Sequence, residues 1–311
     1  MVLARDTKVP LNRLCLFNFI YFGKAIRLYS KTAPFLCLCL LQTKMNFAAC
    51  SDYCGDARVV LQAIITPNKK KLTFSLEDTV LDVGCGTGED TKLTALKVGK
   101  VTGIDSSKEM LDFAMKNNSS SNITYLLEDA QTVGDNPDLR GKFDKAVSFF
   151  VLIWAPTDVS KALVSIGNCL KPGGEALIIM DSQDDNYVIF EADQFLEDHI
   201  KWGQYAKGFK NQCQLWTKSV PATEDVLRSC GWANPHCEVQ EHATELSEKQ
   251  FKLLLRTQMP QITMIHENER DECLEDLWVW AKTRYQPKLG GQTQNVTLSF
   301  KVMVMHAEKS M

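Results

Sequence analysis

The sequence lacks several features that mark whole classes of protein. Its 11 cysteines form no C-x-x-C pair, and an odd number cannot all pair internally, so neither a zinc or other metal site nor a disulfide framework is predicted. With 35 basic and 38 acidic residues, the chain has no excess of positive charge for binding nucleic acid. Its apolar runs are shorter than the ~20 residues that a membrane-spanning helix needs. Hydrophobic residues make up 45% of the 311, which is enough for a globular core.

Residues 1–44 form a basic N-terminal extension. They contain seven Lys and Arg residues and one acid, whereas the rest of the chain holds 28 basic and 37 acidic residues. Three interpretations remain open: a mitochondrial import peptide, a secretory signal with Leu14–Phe22 as its apolar core, or a non-native extension before a start at Met45. Residues 45–311 are then the functional domain. Unpaired thiols favour a cytoplasmic protein, with mitochondria as the alternative if the extension is an import peptide.

A strand, a glycine turn and a helix follow one another after residue 78. Thr79–Val83 is a compact, β-branched run, and Gly84–Gly88 continues it with the spacing G-x-G-x-G. A helical pattern then begins, with Leu93 and Leu96 among its apolar positions. Glycines in such a turn let the backbone approach a ligand at the start of a helix, so a nucleotide-like ligand is predicted here.

Three successive predicted strands end in a carboxylate. Asp82 precedes the first glycine, where it repels phosphate and attracts a cation such as an amino group or a sulfonium. Asp105 ends the second strand and is placed to accept both hydroxyls of a ribose, while Asp129 ends the third and suits an adenine amino group. Ser106 and Glu109 have the spacing of a capping box that opens the next helix. The pattern predicts a cationic adenosine ligand.

The run Val80–Gly88 resembles the first motif of the class I S-adenosylmethionine-dependent methyltransferases. Phe143–Phe150 is similar to the fourth strand of that family, and Cys169–Ile179 to its Pro-Gly-Gly turn and fifth strand. The resemblance implies an α/β, Rossmann-like fold with a seven-stranded sheet whose last strand is antiparallel, and S-adenosylmethionine as cofactor. Final strands are expected at Glu238–Thr244 and Val296–His306. The implied cofactor-binding residues are Asp82, Gly84, Cys85, Gly86, Gly88, Asp105, Ser106, Met110, Asp129, Ala130 and Phe149.

Closer within that family, the chain resembles the juvenile hormone acid methyltransferases of arthropods, which methylate the carboxylate of a farnesoid acid. The resemblance rests on Asp56-Ala57 and on Ser148-Phe-Phe-x-Leu-x-Trp154. This chain has Tyr53 where those enzymes usually have glutamine, and Ile153 where histidine is usual. Trp154 and Tyr53 are the predicted catalytic residues, because each can donate a hydrogen bond to a substrate carboxylate.

Segments 182–222 and 246–292 are predicted helical insertions that form a lid over the carboxyl ends of the strands. They are rich in aromatic and methionine side chains, which indicates a small hydrophobic substrate. All five histidines lie outside the motifs, and a carboxylate needs no base, so a carboxylic acid is the predicted substrate. The alternatives are a hydroxyl or amine substrate with His199 as base, and a catalytically silent cofactor-binding protein. The sequence does not predict an oligomeric state.

Overall fold

The computed structural model describes residues 50–51, 53–155, 158–183, 187–209, 211, 213–285 and 294–311. The predicted extension at residues 1–44 lies outside the described residues. The fold is built on one seven-stranded sheet with the order β3-β2-β1-β4-β5-β7-β6. Strand β7 is antiparallel to both of its neighbours, whereas the central strands are parallel. The strands are β1 Thr79–Val83, β2 Lys100–Asp105, β3 Ile123–Leu127, β4 Phe143–Phe149, β5 Leu170–Asp181, β6 Trp232–Leu246 and β7 Val296–Lys309.

This arrangement confirms the predicted class I methyltransferase fold. The central strands are covered on both faces, which is why their sequences are nearly continuous apolar runs rather than alternating ones. In β1, for example, Val80, Leu81 and Val83 are fully buried. Polar residues lie at the carboxyl ends of the strands, where they can contact a ligand.

Helices pack against the strands of the sheet. Two of them come from segment 182–222 and two from segment 246–292, the segments that are predicted to form a lid. Among the described residues, no helix is long and apolar enough to span a membrane. The helices are α1 Val59–Asn68, α2 Glu89–Ala95, α3 Lys108–Asn117, α4 Val159–Cys169, α5 Val188–Asp198, α6 Gly203–Ala206, α7 Val220–Ser229, α8 Glu248–Gln258 and α9 Arg270–Tyr285.

Three of the four buried residues of α2 are polar. Leu93 and Leu96 are 50% and 75% exposed, whereas Asp90, Thr91 and Thr94 are buried. Of the apolar positions in the predicted helical pattern, Val98 is buried, but it lies beyond the end of α2 and does not contribute to the inner face of this helix. Here the core-facing side chains are instead hydrogen-bonded to charged and polar partners, so their burial is compensated.

Two other local predictions need adjustment. The N-cap of α3 is Ser107, whose hydroxyl accepts a hydrogen bond from the backbone N–H of Met110, so the cap lies one residue after the predicted Ser106. The Pro-Gly-Gly segment does not separate α4 from β5 as a free turn. It forms an irregularity within β5, where the pairing register with β4 shifts between Phe143 and Lys145. The last two strands lie where predicted and are longer.

The two segments that are predicted to form a lid are joined to each other. The indole N–H of Trp202 donates a hydrogen bond of 2.8 Å to Asp276 on α9, and Phe195 on α5 stacks on Trp280 with ring centroids 5.4 Å apart. Aromatic groups in this region therefore serve to hold the lid helices together. This role agrees with the usual fate of aromatic residues at helical spacing, which is to pack against neighbouring helices.

Candidate active site

The glycine turn after β1 has the backbone geometry that only glycine adopts easily. Gly84, Gly86 and Gly88 have φ angles of +71°, +53° and +79°. A Cβ on Gly84 would lie 2.2 Å from Cγ2 of Val151, so a side chain there is excluded on steric grounds as well. The backbone N–H groups of Gly84 and Cys85 donate to the carbonyl of Ile104, which ties the turn to β2.

The space beside Gly86 is open and suits a ligand. A Cβ at Gly86 would have no heavy atom within 4 Å, so this turn leaves room that a side chain would fill. The Gly86 N–H donates a 2.9 Å hydrogen bond to one oxygen of Asp105, and the Ser107 N–H donates a 2.8 Å bond to the other. Burial raises the pKa of Asp105 above its usual value, although these N–H groups favour the ionised form.

Asp82 is a buried carboxylate beneath this turn. The Thr91 hydroxyl donates a 2.6 Å hydrogen bond to it, and burial raises the pKa of Asp82 to about 6. The nearby Lys69 is engaged elsewhere, because its ammonium lies 3.7 Å from Asp90 and donates a 2.8 Å hydrogen bond to Thr94. A cationic ligand group beside Asp82 would favour its ionised form. A cation at this position stays a prediction.

A buried polar network holds the N-terminal turn, residues 55–58, against α2. Asp90 accepts hydrogen bonds from the Arg58 guanidinium and, at 3.1 Å, from the Gln62 amide. Glu89 adds a bond at 3.3 Å from the Gly55 N–H and an ion pair at 3.6 Å with Arg58. The network explains the polar inner face of α2, and it places the segment that contains Tyr53 near the glycine turn.

The other predicted cofactor residues lie along the same edge of the sheet, in different degrees of exposure. Asp129 and Ser106 are exposed, and Asp129 accepts a 2.7 Å hydrogen bond from the Gln131 N–H. Met110 and Cys85 are buried, and burial raises the pKa of the Cys85 thiol, so it is not a nucleophile at neutral pH. Ala130 and Phe149 are partly buried, with the Lys69 ammonium 5.8 Å from the centre of the Phe149 ring.

A cavity opens at the carboxyl ends of β4 and β5, under α1, α5 and α8. Its volume is about 30 Å³, which is room for about two water molecules. A long-chain ligand therefore requires side chains of the cavity walls to move. The walls are mainly apolar, and polar groups are present as well. The lining residues used below are Tyr53, Ile64, Ile153, Trp154, Asp181, Tyr187, Ile189, Leu254, Gln258 and Phe300.

Tyr53 and Trp154, predicted as catalytic, line this one cavity although 100 residues separate them. The amide of Gln258 on α8 lies 3.4 Å from the Tyr53 hydroxyl, and burial raises the pKa of that hydroxyl. Among the described residues, none accepts a hydrogen bond from the Trp154 indole N–H, so this donor is available to a ligand. Ile153, which stands where the related enzymes usually have histidine, also lines the cavity.

The backbone at Phe150 determines where Trp154 lies. Phe150 has a φ angle of +60°, which is rare for a residue with a side chain and is often associated with functional sites. Its N–H donates a 2.8 Å hydrogen bond to the carbonyl of Ile179 on β5. The chain then turns sharply through residues 152–154, so that the Trp154 ring reaches the cavity.

Sequence reasoning missed Asp181, the last residue of β5. It lines the cavity, is 8% exposed, and accepts a 3.3 Å hydrogen bond from the Tyr187 hydroxyl. Burial raises its pKa to about 7. The signal was present, because Asp181 is a further acid at the end of a parallel strand. Gln258, by contrast, had no signal, since nothing in a helical segment indicates which residue will face a distant tyrosine.

His199 does not line the cavity. Its Nδ1 accepts hydrogen bonds from the backbone N–H groups of Lys201 and Trp202, at 3.2 and 3.3 Å, after the end of α5. It therefore shapes the chain beyond α5, and its predicted alternative role as a base has no geometric support. Segment 182–222 contains seven aromatic residues, and of these Tyr187 lines the cavity.

Comparisons with known proteins agree with this geometry. Residues 80–174 match the family model described as a methyltransferase domain. Juvenile hormone acid O-methyltransferase of Drosophila melanogaster is 30% identical over 173 residues, covering 53% of this chain and 57% of that enzyme. Demethylmenaquinone methyltransferase of Lactobacillus johnsonii is 33% identical over 157 residues, covering 49% of this chain and 59% of that enzyme. The chain thus spans less than two thirds of the length of these relatives.

A solved structure shares the fold. The protein BH2331 of Bacillus halodurans C-125 superposes with a TM-score of 0.52 at 16% identity, covering 80% of this chain and 100% of that one. This likeness concerns the architecture of the sheet and its helices. The relatives differ in the molecules for which they are named, so the substrate of this chain has to be argued from its own cavity.

Proposed function

We propose that this protein is an S-adenosylmethionine-dependent methyltransferase that methylates the carboxylate of a small hydrophobic acid. The observation that carries the cofactor assignment is the open turn at Gly86 between Asp82 and Asp105, one buried carboxylate beneath it and one hydrogen-bonded to it. A phosphate-rich nucleotide would be repelled by these acids, whereas a ligand with a cationic end and a ribose is stabilised by them.

The residues present fit each part of that cofactor. Asp82 would hold the cationic amino-acid end, Asp105 the ribose hydroxyls and Asp129 the adenine amino group, with Gly86 leaving the space. The bound cofactor supplies an electrophilic methyl group on a sulfonium. The protein's own contribution is to align the substrate with that methyl group and to exclude water.

The cavity supports a hydrophobic acid as substrate. Ile64, Ile189 and Leu254 give it apolar walls, while Trp154 and Tyr53 offer hydrogen-bond donors. An indole N–H can donate but not accept, so Trp154 can orient an anion without removing a proton. A carboxylate is already ionised at neutral pH and needs no base. The relative from Drosophila, named for an acid substrate, points in the same direction.

A second candidate function follows from Asp181. A carboxylate with a pKa of about 7 in the substrate cavity has the property of a general base at neutral pH. It would then accept the proton of a hydroxyl or amine substrate. In that case the rate of methylation rises with pH as Asp181 ionises. With a carboxylate substrate, by contrast, the rate of methylation stays constant as the pH falls, until the substrate itself becomes protonated at about pH 4–5.

The test is a methyl-transfer assay with S-adenosylmethionine on a matched pair, farnesoic acid and farnesol, between pH 5 and 9. Methyl ester formed from the acid supports the proposal, and ether formed from the alcohol supports the second candidate. Calorimetric binding of the cofactor with no product from acids, alcohols or amines would indicate a silent binding protein. Failure to bind the cofactor at all would contradict the whole assignment.

A further inference from the structure

Asp181 lies in the substrate cavity without a cation to balance it. Among the described residues, the Tyr187 hydroxyl donates a hydrogen bond of 3.3 Å to its carboxylate. The described residues that line the cavity include no lysine, arginine or histidine. The cavity therefore holds one acidic group, several neutral donors and no positive side chain.

The other titratable groups around Asp181 are neutral at physiological pH. Tyr187 and Tyr53 are phenols whose pKa values are raised by burial, and the thiol of Cys213 has its pKa raised to about 12. The cavity-lining residues on α1, α8 and β7, such as Ile64 and Phe300, have no titratable side chain. Burial is thus the dominant influence on Asp181, and it favours the protonated carboxylic acid.

A carboxylate substrate would bring a second acidic group into the same small space. Two ionised carboxylates in one buried site repel each other, and such pairs in proteins share a proton. The two groups can share one if Asp181 is the donor and the substrate is the acceptor. This arrangement also satisfies the hydrogen-bonding capacity of both groups, which a pair of anions cannot do.

We propose that Asp181 is the specificity residue of the cavity: it holds a proton when the acid binds and donates a hydrogen bond to the substrate carboxylate. The inference rests on the proposed function. Specificity follows because the protonated Asp181 forms a charge-assisted hydrogen bond with a carboxylate. An alcohol brings no negative charge, so it gains only a neutral hydrogen bond, which is weaker than the bond to a carboxylate.

The proton is not consumed in the reaction. The bond that forms joins a carboxylate oxygen to the methyl carbon, and the bond that breaks joins that carbon to sulfur. The negative carboxylate and the positive sulfonium give a neutral ester and a neutral thioether, while Asp181 keeps its proton throughout. Asp181 therefore acts by binding and orienting, in contrast to a base, which would have to be ionised first.

Because a proton is taken up on binding, the affinity of the protein for the substrate acid depends on pH. Above about pH 7 Asp181 is ionised in the free protein, and the substrate is ionised as well, so each binding event takes one proton from solvent. The Kd for the acid should then rise about tenfold for each pH unit above 7 and stay flat between about pH 5.5 and 6.5. The Kd for an uncharged alcohol should not rise in this way.

The experiment is calorimetry of farnesoic acid binding to the full protein saturated with S-adenosylhomocysteine, which carries no sulfonium charge. Measurements at pH 8 in phosphate and in Tris, which differ in ionisation enthalpy, give the number of protons taken up. We expect close to one for farnesoic acid and none for farnesol. Asp181→Asn keeps an N–H donor that never titrates, so it should still bind the acid, with no uptake and a flat Kd between pH 7 and 9.

Asp193→Asn is the matched control, because Asp193 is another mostly buried carboxylate with a pKa raised to about 6, and it lies outside the cavity. This variant should retain the proton uptake, and thermal unfolding of both variants checks that they are folded.

If the acid binds the wild type with no uptake and a flat Kd, the inference is overturned while the proposed function stands. If S-adenosylhomocysteine binds but the acid neither binds nor is methylated, the proposed acid substrate fails. If Asp181→Asn still takes up a proton when the acid binds, the proton goes to another group and the inference is again overturned.

Discussion

The amide nitrogen of Gln258 lies 3.4 Å from the hydroxyl oxygen of Tyr53, and both residues line the cavity. This contact links lid helix α8 to the segment that precedes α1, two parts of the chain separated by about 200 residues. An ion pair at 2.6 Å between Asp56 and Lys249 links the same two parts at the surface. The segment predicted to form the lid is therefore attached near Tyr53, where the proposed function places the substrate carboxylate.

The ribose assignment predicts the effect of Asp105→Ala on cofactor affinity. Loss of hydrogen bonds to a charged acceptor should weaken S-adenosylmethionine binding by roughly 1.5–3 kcal/mol, or about ten- to 150-fold in Kd. Calorimetry measures the change directly. Asp112→Ala is the control, because Asp112 is exposed on α3 and pairs only with Lys108 there. Equal affinity of the wild type and Asp105→Ala would contradict the assignment.

The open turn at Gly86 predicts a separation of stability from binding. Gly86→Ala and Gly141→Ala place a Cβ at similar positive φ angles, +53° and +65°, and neither Cβ meets an atom within 4 Å. Both should lose a similar free energy of unfolding, about 1–2 kcal/mol from backbone strain. Only Gly86→Ala should lose cofactor affinity, as measured by calorimetry, because only its methyl group enters the cofactor space. Equal affinities in the two variants would place the cofactor elsewhere.

Trp154→Phe keeps most of the bulk of the side chain and removes its N–H donor. If the indole orients the substrate in the transition state, kcat should fall, by roughly ten- to 100-fold for one lost hydrogen bond to a charged group. Cofactor affinity should be unchanged. The control is Trp280→Phe, since Trp280 stacks on Phe195 in the lid and does not line the cavity. A rise in KM at constant kcat would instead assign Trp154 to binding alone.

The raised pKa of Asp181 predicts how stability depends on pH. With a pKa of about 7 in the folded protein and 3.8 in the unfolded chain, Asp181 binds more protons when folded. Its contribution to the free energy of unfolding therefore falls as the pH rises from about 4 to 7. Asp181→Asn removes this loss, so it should gain roughly 2–4 kcal/mol relative to the wild type between pH 5 and pH 8. Urea unfolding at the two pH values measures the difference, and a pH-independent difference would show that Asp181 is ionised at both.

The change in charge at residue 44 leads to a prediction about the N-terminal extension. A protein that begins at Met45 should bind the cofactor with the same Kd and unfold at the same temperature as the full chain. The reason is that the sheet pattern and all candidate site residues lie after this point. Insolubility or a much lower Tm of the shorter protein would show that residues 1–44 contribute to the fold.

The sheet and the glycine turn could be predicted because their signals are local. A β-branched run such as Val80–Val83 and the glycines that follow it specify a strand and a turn with little help from the rest of the chain. The polar face of α2 could not be predicted in this way. Asp90 and Thr94 are buried because Arg58 and Lys69, about 30 residues earlier, provide their partners.

The candidate site shows the same division. The carboxylates Asp82 and Asp105 follow from strand ends that can be identified in the sequence, and so would Asp181 if the same rule were applied to β5. The lid could not be predicted in detail, since Trp202 and Phe195 could equally well face a ligand or another helix. Their contacts with Asp276 and Trp280 depend on how two distant helices cross, which no local pattern specifies.

The position of β7 between β5 and β6 has a consequence for the biosynthesis of the protein. Phe300 on β7 lines the cavity, and Val302 is the pairing partner of Asp181. Of the seven strands, β7 leaves the ribosome last, so until then both β5 and β6 expose an unpaired edge of the kind that promotes aggregation. A nascent chain can form the glycine turn early but has no closed substrate cavity. Chaperone dependence and losses by degradation should therefore concentrate in the interval before β7 emerges.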